Sequence, residues 1–277
     1  RYVSRFRRRK SGDAFPRRTR KRATLTTGSP RSTHGRWIHA PRANVHATMR
    51  LFCLPFAGGG ASAYRTWTTE LAPQVEVCPV QLPGREERFN EPAHTDLRAL
   101  ASMVITQLQA YFDKPYALFG HSMGALLSYE VSRQLEAQGA PMPVRTFLSA
   151  YVPPHRPSRW SPIHHLPDDA FLDEIRQLDG TPAAVLQHEE LMQFLMPTLR
   201  ADFEACETYE SGQWSPLSCP LTIYGGIDDG EVSEEELAAW QVHTSSDFRL
   251  RMYAGNHFYL HTAREALLAD IRHTLLG

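Results

Sequence analysis

Six short apolar runs, spaced so that helical stretches fit between them, constrain this chain more than any other feature. They fall at residues 50–55, 75–80, 116–120, 144–149, 220–225 and 248–253. Residues 62–72, 96–112, 123–138, 233–243 and 261–275 carry apolar side chains at helical spacing. In 96–112, for example, Leu97, Leu100, Ala101, Val104, Ile105 and Leu108 share one stripe, as on a core-facing helix. Strands alternating with helices at this spacing predict an α/β fold with a mostly parallel central sheet and helices on both faces.

One stretch breaks the rhythm. Residues 151–216 begin with a Pro-rich loop (Pro153, Pro154, Pro157, Pro162) and then show helical patterns near 168–178, 187–195 and 197–209. Helices inserted between two strands of such a sheet predict a lid.

Charge divides the chain in two. Residues 1–50 hold 15 of the 30 Lys and Arg and a single acid, Asp13, whereas residues 51–277 hold the other 15 against 29 Asp and Glu. The acidic body argues against a nucleic-acid partner, because phosphates would be repelled. Residues 1–48 lack apolar periodicity and are predicted to be a disordered basic leader, with the folded domain spanning 49–277. Such a segment suits a transit peptide, a tethering tail, or translated upstream sequence with no role in the fold; the third is preferred, since Met49 directly precedes the first strand. Cys53, Cys78, Cys206 and Cys219 show no zinc-type spacing and are expected to be reduced thiols of a cytoplasmic protein. No run of about 18 apolar residues predicts a membrane helix.

The sharpest local signal is Gly120-His121-Ser122-Met123-Gly124, entered from an apolar strand and left by an apolar-periodic helix. That is the strand–turn–helix setting of a nucleophile elbow, which predicts the α/β-hydrolase fold and makes Ser122 the candidate nucleophile. A serine hydroxyl needs a base, and in this fold the chain order is Ser, acid, His. The strand at 220–225 runs into Gly225-Gly226-Ile227-Asp228-Asp229-Gly230-Glu231-Val232. Asp229, with valine three residues on, is preferred over Asp228 as the acid, and the other Asp is expected to cap the helix starting near Ser233. The final strand runs into Ala254-Gly255-Asn256-His257-Phe258, which makes His257 the candidate base. His121 adjoins the nucleophile and is a candidate for lining the pocket; His164, His165, His243 and His261 fit no catalytic slot. The candidate oxyanion donors are the backbone N–H groups of Met123 and of Ala57, in the glycine-rich loop Pro55-Phe56-Ala57-Gly58-Gly59-Gly60. This chemistry requires no metal and no cofactor.

Several of these segments occur together with others in one register: Leu54-Pro55-Phe56-Ala57-Gly58-Gly59, Gln81-Leu82-Pro83-Gly84-Arg85-Glu86-Glu87-Arg88, Phe119-Gly120-His121-Ser122-Met123-Gly124, Leu199-Arg200-Ala201-Asp202-Phe203 with Tyr209, and Gly255-Asn256-His257-Phe258-Tyr259-Leu260. The set resembles the type II thioesterases, stand-alone editing hydrolases of polyketide and nonribosomal peptide assembly lines. The resemblance implies hydrolysis of stalled acyl groups from the phosphopantetheine arm of an acyl or peptidyl carrier protein; separately, the chain is expected to be a cytoplasmic monomer. It also implies that the insertion is a mobile lid. Two positions depart from the pattern: Gly230 stands where proline often follows the acid, and Asn256 where glycine often precedes the histidine. The alternatives are a general carboxylesterase or lipase of the same fold, or a non-catalytic module of a synthase. Arg85 and Arg88 are candidates either for a carrier-docking patch or for structural ion pairs.

Overall fold

The computed structural model describes Trp37, Ile38, Asn44 and residues 46–178 and 189–277. Six strands form one sheet: β1 (Met49–Leu54), β2 (Val75–Pro79), β3 (Tyr116–His121), β4 (Arg145–Ser149), β5 (Leu221–Gly226) and β6 (Phe248–Tyr253). Every neighbouring pair is parallel, in the order β2-β1-β3-β4-β5-β6. The first five are buried along nearly their whole length, which is why they read as continuous apolar runs rather than alternating ones. Because β2 lies outside β1 while β3 follows on its other side, the chain reverses direction across the sheet between β1 and β3. The crevice at the carboxyl ends of such a pair is where an open α/β sheet binds ligands.

The predicted helices form, several in pieces. Residues 62–72 supply a 3₁₀ turn at Ala61–Tyr64 and the one-turn α1 (Trp67–Glu70). The helix α2 (Leu97–Leu108) buries its whole predicted stripe, and the Asp96 carboxylate caps it by accepting from the N–H groups of Arg98 and Ala99. Such a cap contributes about 1 kcal/mol, and each fully buried Leu or Ile ~1.5–3 kcal/mol. The helix α3 (Met123–Ala137) packs against both α2 and the sheet.

In the insertion, α4 (Asp168–Gln177) is followed by α5 (Glu189–Glu207). The sequence predicts separate helices at 187–195 and 197–209; instead, one helix runs from Glu189 through Pro197, while residues 187–188 lie outside the described set. An interior proline costs about 3 kcal/mol. The stripe Met192, Met196, Leu199 and Phe203 continues across it and packs with Phe171 and Ile175 of α4 into a small separate core, and that burial offsets the lost backbone bond. The chain closes with α6 (Glu234–Ala238), α7 (Tyr259–Thr262) and α8 (Arg264–Leu276). Neither aspartate caps α6. Ser233 does, in a reciprocal capping box with Glu236.

Two residues ahead of the predicted boundary at Met49 are packed against the fold. Trp37 and Ile38 are buried: Ile38 bridges Val80 in antiparallel sense, and the Trp37 carbonyl accepts from the Gln81 N–H. The Arg88 guanidinium stacks 4.2 Å above the Trp37 ring. These contacts pair the backbone just past the carboxyl end of β2, at the margin of the sheet. The leader residues 1–36 lie outside the described set.

Arg85 and Arg88 are structural rather than free for docking. Both are almost fully buried, Arg85 against Asp202 and Arg88 against Glu91.

A buried imidazole cluster sets a pH dependence. His243 accepts or donates at 2.6 Å to the Tyr129 hydroxyl and at 2.7 Å to His155, and burial lowers its pKa to about 3. His121 is likewise held neutral by burial, with His257 and His261 adding to the effect. In the unfolded chain a histidine takes a proton near pH 6.5. Below that pH the unfolded state binds protons that the folded state refuses. Stability therefore falls with acid, by up to ~1.4 kcal/mol per pH unit for each such group. Urea unfolding is expected to give a pH-independent free energy above about pH 7 and a declining one from pH 6.5 to 5. Equal stability at pH 7.5 and pH 5 would contradict this assignment.

Candidate active site

Ser122 is the single residue between β3 and α3, and its backbone sits at φ 52°, ψ −122°. A left-handed φ in a non-glycine residue costs of order 1–3 kcal/mol and persists only where surroundings enforce it. Here the Ser122 N–H donates to the Ser149 carbonyl at 2.8 Å, and the Ser122 carbonyl accepts from the Ala125 N–H at 2.8 Å. The turn leaves the hydroxyl facing a cleft of about 380 Å³, part of it open to solvent.

His257 and Asp229 come to the same end of the sheet from the loops after β6 and β5. The His257 Nδ1 lies 2.9 Å from Asp229 Oδ2. A carboxylate only accepts, so Nδ1 carries the proton and the Nε2 lone pair is left to take one. The other oxygen, Asp229 Oδ1, accepts from the N–H groups of Glu231 (2.8 Å) and Val232 (3.3 Å), and the side chain has no solvent exposure. Asp228 is exposed.

The two departures from the family pattern have local explanations. Asn256 closes the histidine turn with its own side chain, Oδ1 accepting from the Phe258 N–H at 3.1 Å. Gly230 sits where an added Cβ would meet nothing within 4 Å, so no contact there demands proline.

The backbone N–H groups of Ala57 and Met123 have no acceptor among the described residues. Met123 opens α3, where N–H groups lack intrahelical partners and the helix end favours negative charge. Its neighbour Gly124 lies directly against the Leu54 and Pro55 carbonyls, which sets the Ala57 loop beside the helix start.

The cleft wall is apolar. Ile175 and Leu178 come from the α4 side of the lid, Leu199 and Phe203 from α5. Phe56 and Phe258 face them from the sheet side, with ring centroids 4.9 Å apart. His121 is not among the lining residues. It lies fully buried beneath His257, ring centroids 5.2 Å apart, with Nδ1 2.8 Å from Ser149 Oγ, which in turn is 2.6 Å from the Tyr259 hydroxyl. Kept neutral by burial, it adds no positive charge next to an imidazolium. Sequence reasoning missed Glu231, which lines the cleft with one carboxylate oxygen 3.8 Å from His257 Nε2. Its proximity to the preferred acid was the only available signal.

The thioesterase domain family matches residues 49–275. Linear gramicidin dehydrogenase LgrE of Brevibacillus parabrevis is 44% identical over 243 residues, covering 87% of this chain and 92% of its own. Thioesterase PikA5 of Streptomyces venezuelae is 38% identical, over 87% of this chain and 86% of its own. The structure of the type II thioesterase BorB from the borrelidin biosynthetic cluster superposes with a TM-score of 0.78 at 38% identity, covering 87% of this chain and 98% of BorB. The family match runs from the first strand of the sheet into the last helix, and these three relatives align over most of their own length. The chain therefore belongs to the thioesterase family of α/β-hydrolase fold and is a thioester hydrolase.

Proposed function

We propose that this enzyme removes acyl groups from the phosphopantetheine arm of acyl or peptidyl carrier proteins, with Ser122, His257 and Asp229 as its triad. In this reading it is an editing enzyme of polyketide or nonribosomal peptide synthesis, acting in the cytoplasm as a single chain. His257 Nε2 takes the Ser122 proton while Asp229 holds Nδ1–H and stabilises the imidazolium. Ser122 Oγ attacks the thioester carbonyl. The resulting oxyanion is received by the N–H groups of Ala57 and Met123, each contributing about 3 kcal/mol. The C–S bond breaks and the pantetheine thiol leaves with the proton from His257. Water, deprotonated by the same imidazole, then cleaves the acyl-enzyme.

The observation that carries this reading is the Asp229–His257 pair opening onto the same apolar, lid-roofed cleft as Ser122. The relatives support the choice of substrate, since several bear the names of type II thioesterases from such pathways. An apolar cleft also suits an acyl chain better than a charged headgroup.

Mass spectrometry of an acyl-loaded carrier protein tests it. The wild type is expected to return the free-thiol carrier. Ser122→Ala is expected to be slower by a factor on the order of 10⁴ or more. Faster turnover of oxygen esters than of the matching carrier thioesters would favour a general esterase instead.

A further inference from the structure

The buried ion pair between Arg85 and Asp202 joins three segments far apart in the chain. Asp202, on the lid helix α5, has no solvent exposure. Its Oδ1 accepts from Arg85 Nη2 at 2.7 Å and its Oδ2 from Arg85 Nη1 at 2.9 Å. Oδ2 also accepts from the backbone N–H of Gly58 at 2.7 Å. Arg85 in turn donates to the Gly59 carbonyl at 3.1 Å and to the Pro83 carbonyl at 3.2 Å. One carboxylate on the lid and one guanidinium beside it thus grip two consecutive residues of the loop that holds Ala57.

The grip acts on the right peptide. The Gly58 N–H belongs to the peptide plane that follows Ala57, so holding that plane restrains the Ala57 backbone torsions and with them the direction of its own N–H. Gly58 has φ +73°, and a Cβ there would lie 2.6 Å from Leu199 Cδ2, so α5 also presses on the loop from above. A lid seated only by apolar contacts would not need a charge-assisted bond aimed at this one amide.

We propose that Asp202 and Arg85 are positioning residues for the oxyanion loop, so that the Ala57 donor is aligned only while α5 is seated on it. The lid then serves as part of the catalytic frame as well as a roof. This rests on Ser122 as nucleophile and Ala57 as donor.

The test separates oxyanion stabilisation from ground-state binding. A boronic acid that bonds to Ser122 Oγ reports on the oxyanion site; a non-cleavable acyl-pantetheine amide reports on the cleft alone. For Asp202→Ala, kcat is expected to fall about 100-fold with KM within about threefold, the range seen when one oxyanion donor is lost. Boronate affinity should fall in the same proportion while amide affinity holds. An Asp202→Ala protein that is folded yet binds the boronate as tightly as wild type overturns the proposal.

If the single variant fails to fold because Arg85 is left as a buried lone charge, the double variant Arg85→Met/Asp202→Leu removes both charges at similar volume. It too should lose kcat and boronate affinity together. Wild-type values in that folded double variant would reduce the pair to a lid anchor and sink the idea. Undiminished turnover by Ser122→Ala would instead overturn the nucleophile assignment on which the proposal stands.

Discussion

Asp229→Asn is expected to lower kcat for carrier thioesters by about 10⁴-fold, whereas Asp228→Asn should leave it within about twofold. The two residues are neighbours, but their surroundings differ completely. Asp229 is enclosed, with one oxygen on His257 and the other on two backbone amides. Asp228 is exposed. In Asp229→Asn the side-chain oxygen can still accept from Glu231 and Val232, so the loop keeps its shape. The amide nitrogen then faces His257 Nδ1 and, being a donor, stabilises the tautomer with its proton on Nε2. That imidazole cannot take the Ser122 proton. KM should change little, because the carboxylate never touches the acyl group. Pre-steady-state kinetics should place the loss in acylation. The reverse pattern, with Asp228→Asn inactive and Asp229→Asn active, would make Asp229 a loop clamp and nothing more.

What could be read from the sequence divides along the length scale of the interaction. The elbow is contiguous: strand, turn and helix follow one another, and the glycines flanking Ser122 are demanded by contacts within the same segment and the adjacent strand. The preference for Asp229 over Asp228 rested on a valine three residues on, and the bond from the Val232 N–H to Asp229 Oδ1 is the physical content of that spacing. Interactions across the chain left no such trace. Arg85 and Asp202 stood in separate recognisable segments, but nothing local announced that they meet over 117 residues. Trp37 and Ile38 form too short an apolar pair to register as periodicity, although both are buried. The split between the patterns at 187–195 and 197–209 fails for a different reason, which centres on Pro197. Local propensity says break, and the tertiary stripe from Met192 to Phe203 says continue; packing won. The Ser233–Glu236 capping box, by contrast, was legible as S-x-x-E and was overlooked in favour of an aspartate.

Gly124→Ala and Gly120→Ala are expected to be among the most damaging glycine-to-alanine changes at the described residues. A Cβ at Gly120 would lie 1.8 Å from the Gly124 carbonyl oxygen and 2.5 Å from Ser128 Oγ. A Cβ at Gly124 would lie 2.2 Å from the Leu54 oxygen and 2.7 Å from the Pro55 oxygen. In both cases the obstacle includes backbone, which cannot rotate away as a side-chain tip can. Relief requires α3 to separate from β3 for Gly120→Ala and from β1 for Gly124→Ala, and with it the Met123 amide moves away from the Ala57 loop. A loss of about 4–5 kcal/mol is expected, equivalent to a fall in Tm of roughly 10–20 °C in a domain of this size. Gly230→Ala is the matched control, since nothing lies within 4 Å of its added methyl, and its Tm should stay within a few degrees of wild type. Activity should suffer beyond stability. The same close approach that makes room for α3 also fixes the distance between the two candidate oxyanion donors, so even the folded fraction of Gly124→Ala should turn over about 100-fold more slowly. A Gly124→Ala enzyme that melts and turns over like wild type would show that β1 and α3 do not bear on one another at the elbow, and that the strained Ser122 backbone is held by something else.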